Sequence, residues 1–379
     1  RQMCIRDRYK GIKGNISREA CWKRQCSSQK LHTRKRPFKV LKKNRLQHPN
    51  TTYHSKNISE KTFLVTGAAG FIGSHLVEYL LKNGAGKVIA LDNLVTGQQP
   101  NIDLFLHHPN YEFVKGDLRD YRTCEKATAG VDFILHQAAI GSVPRSVDDP
   151  LNTNSANVTG FLNILEAAKI NGVKRFVYAS SSSVYGDDAT FPKTENSVGN
   201  PLSPYAVSKK TNELYAKVFA DIYGMEIIGL RYFNVFGPRQ SPNGAYAAVI
   251  PLFIDKLKND ESPRIDGDGG QTRDFTFVEN VVQANMKALF TENKDALNQV
   301  YNIAAGSNYS VLTLFNAIKE NLGSLIDPTF GPPRTADIRD SLADISKARE
   351  MLDYHPQVDF HSGLKRTVDF FEKELATVS

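Results

Sequence analysis

Cysteine is nearly absent from the body of this 379-residue chain: Cys4, Cys21 and Cys26 fall in the first 26 residues, which leaves Cys124 alone. A disulfide framework is thereby excluded there. No run of about 18 apolar residues exists, so no membrane-spanning helix is expected. Acidic residues are scarce at one end only. Residues 1–60 hold 17 Lys and Arg against 3 Asp and Glu, a surplus of +14, whereas the other 319 hold 31 against 37, or −6. The formal charge of +8 is therefore a property of the leader, and no nucleic-acid partner is expected for the mildly acidic body. The leader lacks the apolar core of a secretory signal. A basic arm for nucleic acid and a transit peptide are two readings of it; a disordered extension, left out of the fold, is the one adopted. With no export signal and a single body cysteine, the expected compartment is the cytoplasm. A content of 41% hydrophobic and 23% charged residues is that of a globular chain.

From Lys61 onward, short runs of Val, Ile, Phe and Leu alternate with longer segments of helical spacing, the pattern of stacked βαβ units. Strands are expected at Thr62–Thr66, Lys87–Asp92, Tyr111–Lys115, Val131–Gln137, Arg175–Ser180 and Glu226–Arg231. Helices are expected at Phe71–Lys82, Ala156–Ile170 and Tyr205–Tyr223. Strands so continuously apolar require burial on both faces, which a doubly wound parallel sheet provides. After Phe236 the alternation fades into Pro- and Gly-rich stretches, with helices expected at Ala247–Lys258, Val281–Phe290, Leu312–Asn321 and Gly363–Leu375. The expected division is a nucleotide-binding domain over 61–240 and a smaller lobe over 241–379, with parts of 275–308 returning to the first.

Between the first strand and first helix stand Gly67, Gly70 and Gly73 in the run TGAAGFIG. The first permits a tight turn, the second lets backbone approach a pyrophosphate, and the third lets helix and strand pack closely. Asp92 closes the second strand 19 residues after Gly73, where its carboxylate can bond both ribose hydroxyls of an adenosine. It would repel a 2′-phosphate. NAD is thus the expected cofactor, and no metal is expected.

Tyr205 and Lys209, four apart in YAVSK, share a helix face. A free tyrosine has a pKa of about 10, and a nearby ammonium together with a nicotinamide cation would favour the phenolate, making Tyr205 a general base. A serine from the Ser180–Ser183 cluster at the preceding strand end would hold the same substrate hydroxyl.

These residues resemble the extended short-chain dehydrogenase/reductase superfamily, in particular its nucleotide-sugar 4-epimerases. The likeness runs from about Lys61 to Leu375. It rests on GAAGFIG, GDLRD at Gly116–Asp120, HQAA at His136–Ala139, SSSSVYG, YAVSK, RYFNVFG and RDFTFV. It implies a Rossmann fold and a catalytic set of Ser181, Tyr205 and Lys209. For NAD it implies contacts from Gly67, Gly70, Phe71, Ile72 and Gly73, from Asp92 and Asn93, and from Asp117 at the adenine with Leu118. Gln137, Ala138, Ala139 and Tyr232 complete that set with Tyr205 and Lys209. The segments GSVPRS (Gly141–Ser146) and NGAYAAVIP (Asn243–Pro251) are similar to those of epimerases acting on UDP-N-acetylglucosamine and UDP-N-acetylglucosaminuronic acid. By that likeness Ser142, Val143, Arg145, Ser182, Ser183, Ala248 and Val249 would meet substrate. Asn234, Arg273 and Arg334 would hold the UDP diphosphate and its surroundings, a task that suits the planar fork of arginine.

Ser341 is the specificity clue: epimerases limited to UDP-glucose and UDP-galactose resemble this stretch but carry a tyrosine there, whereas serine leaves volume for an N-acetyl group. Glu279 departs from the aspartate common among relatives. The mechanism implied has Tyr205 take the 4-hydroxyl proton while hydride leaves carbon 4 for NAD. The 4-keto sugar then turns on its anchored UDP and recovers hydride on the other face. An epimerase for plain hexoses or uronic acids is the nearest alternative. A 4,6-dehydratase would need an Asp-Glu pair beside the serines, and a non-catalytic NAD-binding regulator would not need Tyr205 and Lys209. Relatives commonly pair two helices of each subunit, so a homodimer through Ala156–Ile170 and Tyr205–Tyr223 is expected.

Overall fold

Segments nearly continuous in Val, Ile, Phe and Leu become strands buried on both faces, because only a covered parallel sheet removes all their side chains from water. The computed structural model describes residues 52–242, 248–333 and 339–376. In it β1 (Thr62–Thr66), β2 (Lys87–Asp92), β3 (Tyr111–Lys115), β4 (Phe133–His136), β5 (Arg175–Ser181) and β6 (Glu226–Tyr232) form on those segments. The start of β4 is later than expected, since the Val131 amide instead donates to the Thr128 carbonyl and closes the preceding helix. A further strand, Val300–Ile303, pairs in parallel with β6 at the edge. The order across the sheet is Val300–Ile303, β6, β5, β4, β1, β2, β3, all parallel.

Strand order reverses between β1 and β4. The chain runs outward from β1 to β3, returns to place β4 on the other side of β1, and then proceeds the opposite way. Connections leaving β1 and β4 therefore diverge, and a crevice opens beyond their carboxyl ends.

Alternate side chains of each strand feed two cores. Phe63, Val65 and Val88 pack with Leu76 and Leu80 of the Phe71–Lys82 helix and with Val281 and Ala284 of the Val278–Phe290 helix. Leu64, Ile89 and Ile134 pack on the other face with Phe161 and Ile164 of the Gly160–Ile170 helix and Phe219 of the Pro204–Tyr223 helix. Each such side chain, fully buried, is worth about 1.5–3 kcal/mol. A third core, around Phe253, Phe275, Phe315 and Phe360, belongs to the C-terminal lobe and uses the helices Val249–Lys258, Val311–Leu322 and Phe360–Ala376. The start of the expected helix at Ala247 lies outside the described residues. Among the described residues no helix is long and apolar enough to cross a membrane.

Two expectations need correction. The helix expected over Ala156–Ile170 starts earlier, as the α-helix Pro150–Asn154, passes through a π turn at Ser155–Thr159 and is α-helical again from Gly160 to Ile170. The wider turn faces the polar Asn157 inward, where it is buried. The leader also ends earlier than residue 60, because the described residues from Thr52 onward belong to one compact unit. Tyr53 and Ile58 are buried in the first core. The Tyr53 ring stacks on Tyr79 at 5.5 Å, its amide donates to the Tyr79 hydroxyl at 2.7 Å, and its own hydroxyl donates to Glu279 Oε1 at 3.2 Å.

Glu279 thus has a task that its sequence context does not reveal. Its other oxygen accepts from Arg366 Nη1 at 2.9 Å, so one carboxylate joins the N-terminal segment, the Val278–Phe290 helix and the C-terminal helix. Glu279→Asp, one methylene shorter, should withdraw from Tyr53 and lower the unfolding free energy by about 1–2 kcal/mol. Chemical denaturation checks this, and adding Tyr53→Phe to the Glu279→Asp variant should then cost almost nothing further.

Candidate active site

The first loop of the crevice is built where no side chain fits. Gly67 has φ 67°, and a Cβ there would lie 2.7 Å from the Ala138 amide nitrogen; at Gly73 it would lie 2.2 Å from the Gly67 carbonyl oxygen. Gly70 caps the helix without a side-chain hydrogen bond, so no cap side chain occupies the first-turn amides. A phosphate suits that position, where amides and helix dipole act together.

Beyond this turn lies a cavity of about 390 Å³, lined by Gly67, Gly70, Phe71, Ile72, Gly73, Gln137 and Ala139 on one side and by Ser181, Tyr205, Lys209, Tyr232 and Asn234 on the other. Tyr232 is held in place by donating to Gln137 Oε1 at 3.1 Å and accepting from Asn285 Nδ2 at 2.9 Å. Asp92, Asn93, Asp117, Leu118 and Ala138 do not line the cavity. Asp92 stands behind the glycine turn, with its carboxylate accepting from the Ala69 amide at 2.9 Å and the Leu94 amide at 2.8 Å. Asp117 accepts from Arg119 Nη2 at 2.6 Å and Asn93 Nδ2 at 3.0 Å. The Arg119 guanidinium holds its carboxyl well below the usual range.

The helix bearing Tyr205 starts where Ser203 caps it, accepting from the Ala206 amide at 3.1 Å, and Pro204 supplies a preset φ; Gly224 ends it in the left-handed region. A second anchor comes from the π-helix. Asn157 accepts from the Ile140 amide at 2.7 Å and donates to Ser208 Oγ at 3.1 Å, and Ser208 donates to the Tyr205 carbonyl at 2.8 Å. The loop after β4 and the first turn of the tyrosine helix are thereby joined.

Lys209 is 2% exposed, donates to the Ala179 carbonyl at 2.8 Å, and lies 5.9 Å from the centre of the Tyr205 ring. Burial lowers its pKa to about 8. Burial pushes the Tyr205 phenol above its ordinary value, and the neighbouring Ser181 hydroxyl pulls it part of the way back. Ser181 Oγ also accepts from the Ser183 amide at 3.1 Å, which leaves its proton free to point at the phenol. The Ser183 hydroxyl is buried with no protein partner among the described residues.

The residues expected around the substrate are only partly gathered. Ser181 and Asn234 line the cavity, while Ser182 and Ser183, in the 3₁₀ turn Ser182–Tyr185, are not among its lining residues. Ser142 caps the short helix Val143–Asp148 that carries Val143 and Arg145, next to the lining residue Gly141. Ala248 caps the Val249–Lys258 helix, and Val249 packs on the third core instead of facing the cavity, because the helix turns its apolar face inward. Arg273 Nη1 donates to the Thr272 and Arg339 carbonyls at 2.8 and 3.3 Å. The Ser341 amide donates to the Thr272 carbonyl at 3.2 Å, which places it beside that strand. Arg334 lies outside the described residues.

Sequence reading passed over several residues. Thr96 and Gln98 line the cavity from the loop after β2, and Asn101 from the short helix Gln99–Asp103 that follows, a stretch without a motif. Arg239, also lining it, donates to Glu78 Oε2 and meets His75 Nδ1 at 2.6 Å. Burial would raise the Glu78 carboxyl, but Arg239 holds it at about 2. Asp274 is fully buried, and its carboxylate accepts from the Ala305 and Gly306 amides at 2.9 and 3.1 Å and from the Ala343 amide at 3.5 Å. Its carbonyl accepts from Asn234 Nδ2 at 3.2 Å. One acid thus pins the loops beside Asn234, Arg273 and Ser341. The available signal was an aspartate set among Phe275, Phe277 and Val278.

The buried lysine gives a pH signature. Its folded pKa of about 8 is below the 10.5 of an exposed lysine, so between those values the folded chain has released a proton that the unfolded chain keeps. The contribution of Lys209 to stability therefore rises with pH across that window and is lost as pH falls through about 8. Lys209→Met should be favoured over wild type most strongly at pH 7, and that advantage should shrink by on the order of 3 kcal/mol by pH 10.5, read from paired denaturation curves.

Comparison with known proteins agrees with this geometry. Residues 63–304 match the NAD dependent epimerase/dehydratase family. The chain is 42% identical over 316 residues to a putative UDP-glucose 4-epimerase of Methanocaldococcus jannaschii, covering 83% of this chain and 99% of that protein. Among solved structures it is similar to the UDP-N-acetylglucosamine 4-epimerase of Methanobrevibacter ruminantium in complex with UDP-N-acetylmuramic acid, at 41% identity and a TM-score of 0.78, covering 83% and 99% of the two chains. It is also similar to the UDP-glucuronic acid 4-epimerase of Bacillus cereus in complex with UDP-glucuronic acid and NAD, at 32% identity and a TM-score of 0.77, covering 83% and 99%. A glycine turn that fits a dinucleotide pyrophosphate, a Tyr-Lys pair facing it and this extent of likeness have one reading: the chain is an NAD-dependent enzyme and belongs to the NAD dependent epimerase/dehydratase family.

Proposed function

We propose that this enzyme is a 4-epimerase of UDP-N-acetylhexosamines or their uronic acids. The observation that carries it is that Ser181, Tyr205 and Lys209 line one cavity together with the glycine turn. NAD, when bound, takes up the hydride of carbon 4 and returns it. The chain's own residues manage the proton and the position. Tyr205 removes the proton of the 4-hydroxyl and later gives it back. Ser181, oriented by the Ser183 amide, shares that hydroxyl and steadies the phenolate. Lys209, near its pKa at working pH, adds positive charge behind the ring. Gly67–Gly73 receive the pyrophosphate, and Asp92 and Asp117 serve the adenosine end. Asn234, Arg273 and Arg334 hold the UDP while the keto sugar turns.

Substrate choice rests on Ser341, whose small side chain leaves room for an N-acetyl group beside the strand that bears Arg273. UDP-glucose and UDP-glucuronate are the second reading, favoured by the names of the Methanocaldococcus and Bacillus relatives. A homodimer is part of the proposal. Val207, Leu214, Val218 and Ile222 form one stripe on the Pro204–Tyr223 helix and are 47–67% exposed, with Leu151 beside them at 83%. The Gly160–Ile170 helix spends most of its apolar face on the enzyme's own core and offers mainly Ile170.

Incubation with the four UDP-sugars, glucose and glucuronate forms with and without the N-acetyl group, should give C4 epimers, fastest for the N-acetylated pair. Tyr205→Phe should lower kcat by about 10²–10⁴-fold. A 4-keto-6-deoxy product, or none, would reject the reading. Ser341→Tyr should depress turnover of the N-acetylated sugars and spare the plain ones; if it leaves the former intact, the gatekeeping role is wrong. Leu214→Asp with Ile222→Asp should shift the sedimentation of the enzyme from dimer to monomer.

A further inference from the structure

Behind the catalytic groups lies a buried ion pair that the proposed chemistry does not use. Glu213 sits on the tyrosine helix, four residues after Lys209 and eight after Tyr205, and so projects from the same side. Its Oε1 accepts from Ser180 Oγ at 2.7 Å and from Arg231 Nε at 2.8 Å, and its Oε2 accepts from Arg231 Nη2 at 2.9 Å. The side chains of Arg231 and Glu213 are 2% and 6% exposed. Arg231 belongs to β6, directly before the cavity residue Tyr232. Its Nη1 donates to the Tyr185 hydroxyl at 3.1 Å, and that hydroxyl donates to Asn302 Oδ1 at 2.5 Å. Asn302 Nδ2 ends the chain of bonds on the Lys193 and Asp344 carbonyls, at 2.9 and 3.0 Å.

A buried ion pair is weak evidence of stabilisation, since apolar residues of similar volume hold a core as well or better. What this pair supplies is position. Ser180 immediately precedes Ser181 at the end of β5, and both line the cavity. With the Ser180 hydroxyl bonded to Glu213, the end of β5 has one fixed register against the tyrosine helix, and Ser181 is thereby held beside Tyr205. The guanidinium is bidentate on the same carboxylate, so β6 is set by the same group.

We propose that Glu213, held by Arg231, is a positioning residue that sets the separation of Ser181 and Tyr205 through Ser180, and so governs the turnover step more than substrate affinity. This rests on the reading that Ser181 and Tyr205 act together on the sugar. A displacement of about 1 Å between reacting groups can cost about 10²-fold in rate.

The test uses the full chain loaded with NAD and whichever UDP-sugar it epimerises fastest. Running wild type and Tyr205→Phe first separates a failure of the functional reading from a failure of this one. Ser180→Ala, which leaves the ion pair intact, should lower kcat at least tenfold with KM within threefold and the melting temperature nearly unchanged. Glu213→Gln should lower kcat at least as far, and adding Ser180→Ala to it should cost less than twofold more, since both act through one bond. A Ser180→Ala enzyme with kcat within twofold of wild type overturns the proposal, as does a double variant whose losses multiply. Where Glu213→Gln does not fold, the kcat and KM of Ser180→Ala decide alone.

Discussion

Burial of a phenol and an ammonium in one cavity is the constraint on which the rest of this enzyme depends. Low dielectric disfavours charge on both, and it acts in opposite directions on their pKa values: Tyr205 is pushed up and Lys209 is brought down to about 8. The phenol is thereby no ready ion, while the ammonium, with its pKa at about 8, stays mostly charged at neutral pH. What restores reactivity is local and directional, namely the Ser181 hydroxyl on the phenol and the Ala179 carbonyl on the ammonium. The nicotinamide cation expected beside them adds the positive charge that the protein supplies only sparingly.

Such a site works only if its parts are held firmly, and each part is held by a group remote in sequence. Asn157, turned inward by a π-helix, links the loop after β4 to the start of the tyrosine helix. Asp274 gathers amides from two loops beside Asn234 and Arg273. Burial raises its pKa to about 6, so several backbone amides are needed to keep a charged acid there. These residues stiffen the framework on which the sugar's turning motion would take place.

Much of the fold could be read along the chain because its causes are local. The helix Phe71–Lys82 and strands β1, β2 and β3 occupy the residues expected, since each is written in a periodicity or an apolar run of its own segment. Exceptions arise where a distant partner decides. Thr52–Glu60 reads as part of a basic leader, yet Tyr53 finds Tyr79 and Glu279. Asn157 falls within a plausible helical pattern, and nothing in that pattern announces the extra residue in its turn. Of the site, the glycines, Tyr205 and Lys209 were legible because their spacing is itself the chemistry, whereas Ser181 was singled out from its cluster only by the family resemblance. Glu213, Arg239 and Asp274 were not, because an isolated charged residue reads as surface until its partners are known.

The sequence by itself therefore determined the alternation of strand and helix, the glycine turn and the Tyr-Lys face, all properties that a stretch of a dozen residues can encode. Only the tertiary structure decided which polar groups are buried against distant partners, and how the N-terminal segment is tied to the body. Those outcomes depend on contacts between segments more than a hundred residues apart, such as Asn302 with Tyr185 or Glu279 with Tyr53. A hydrogen bond of that range has no periodicity to betray it.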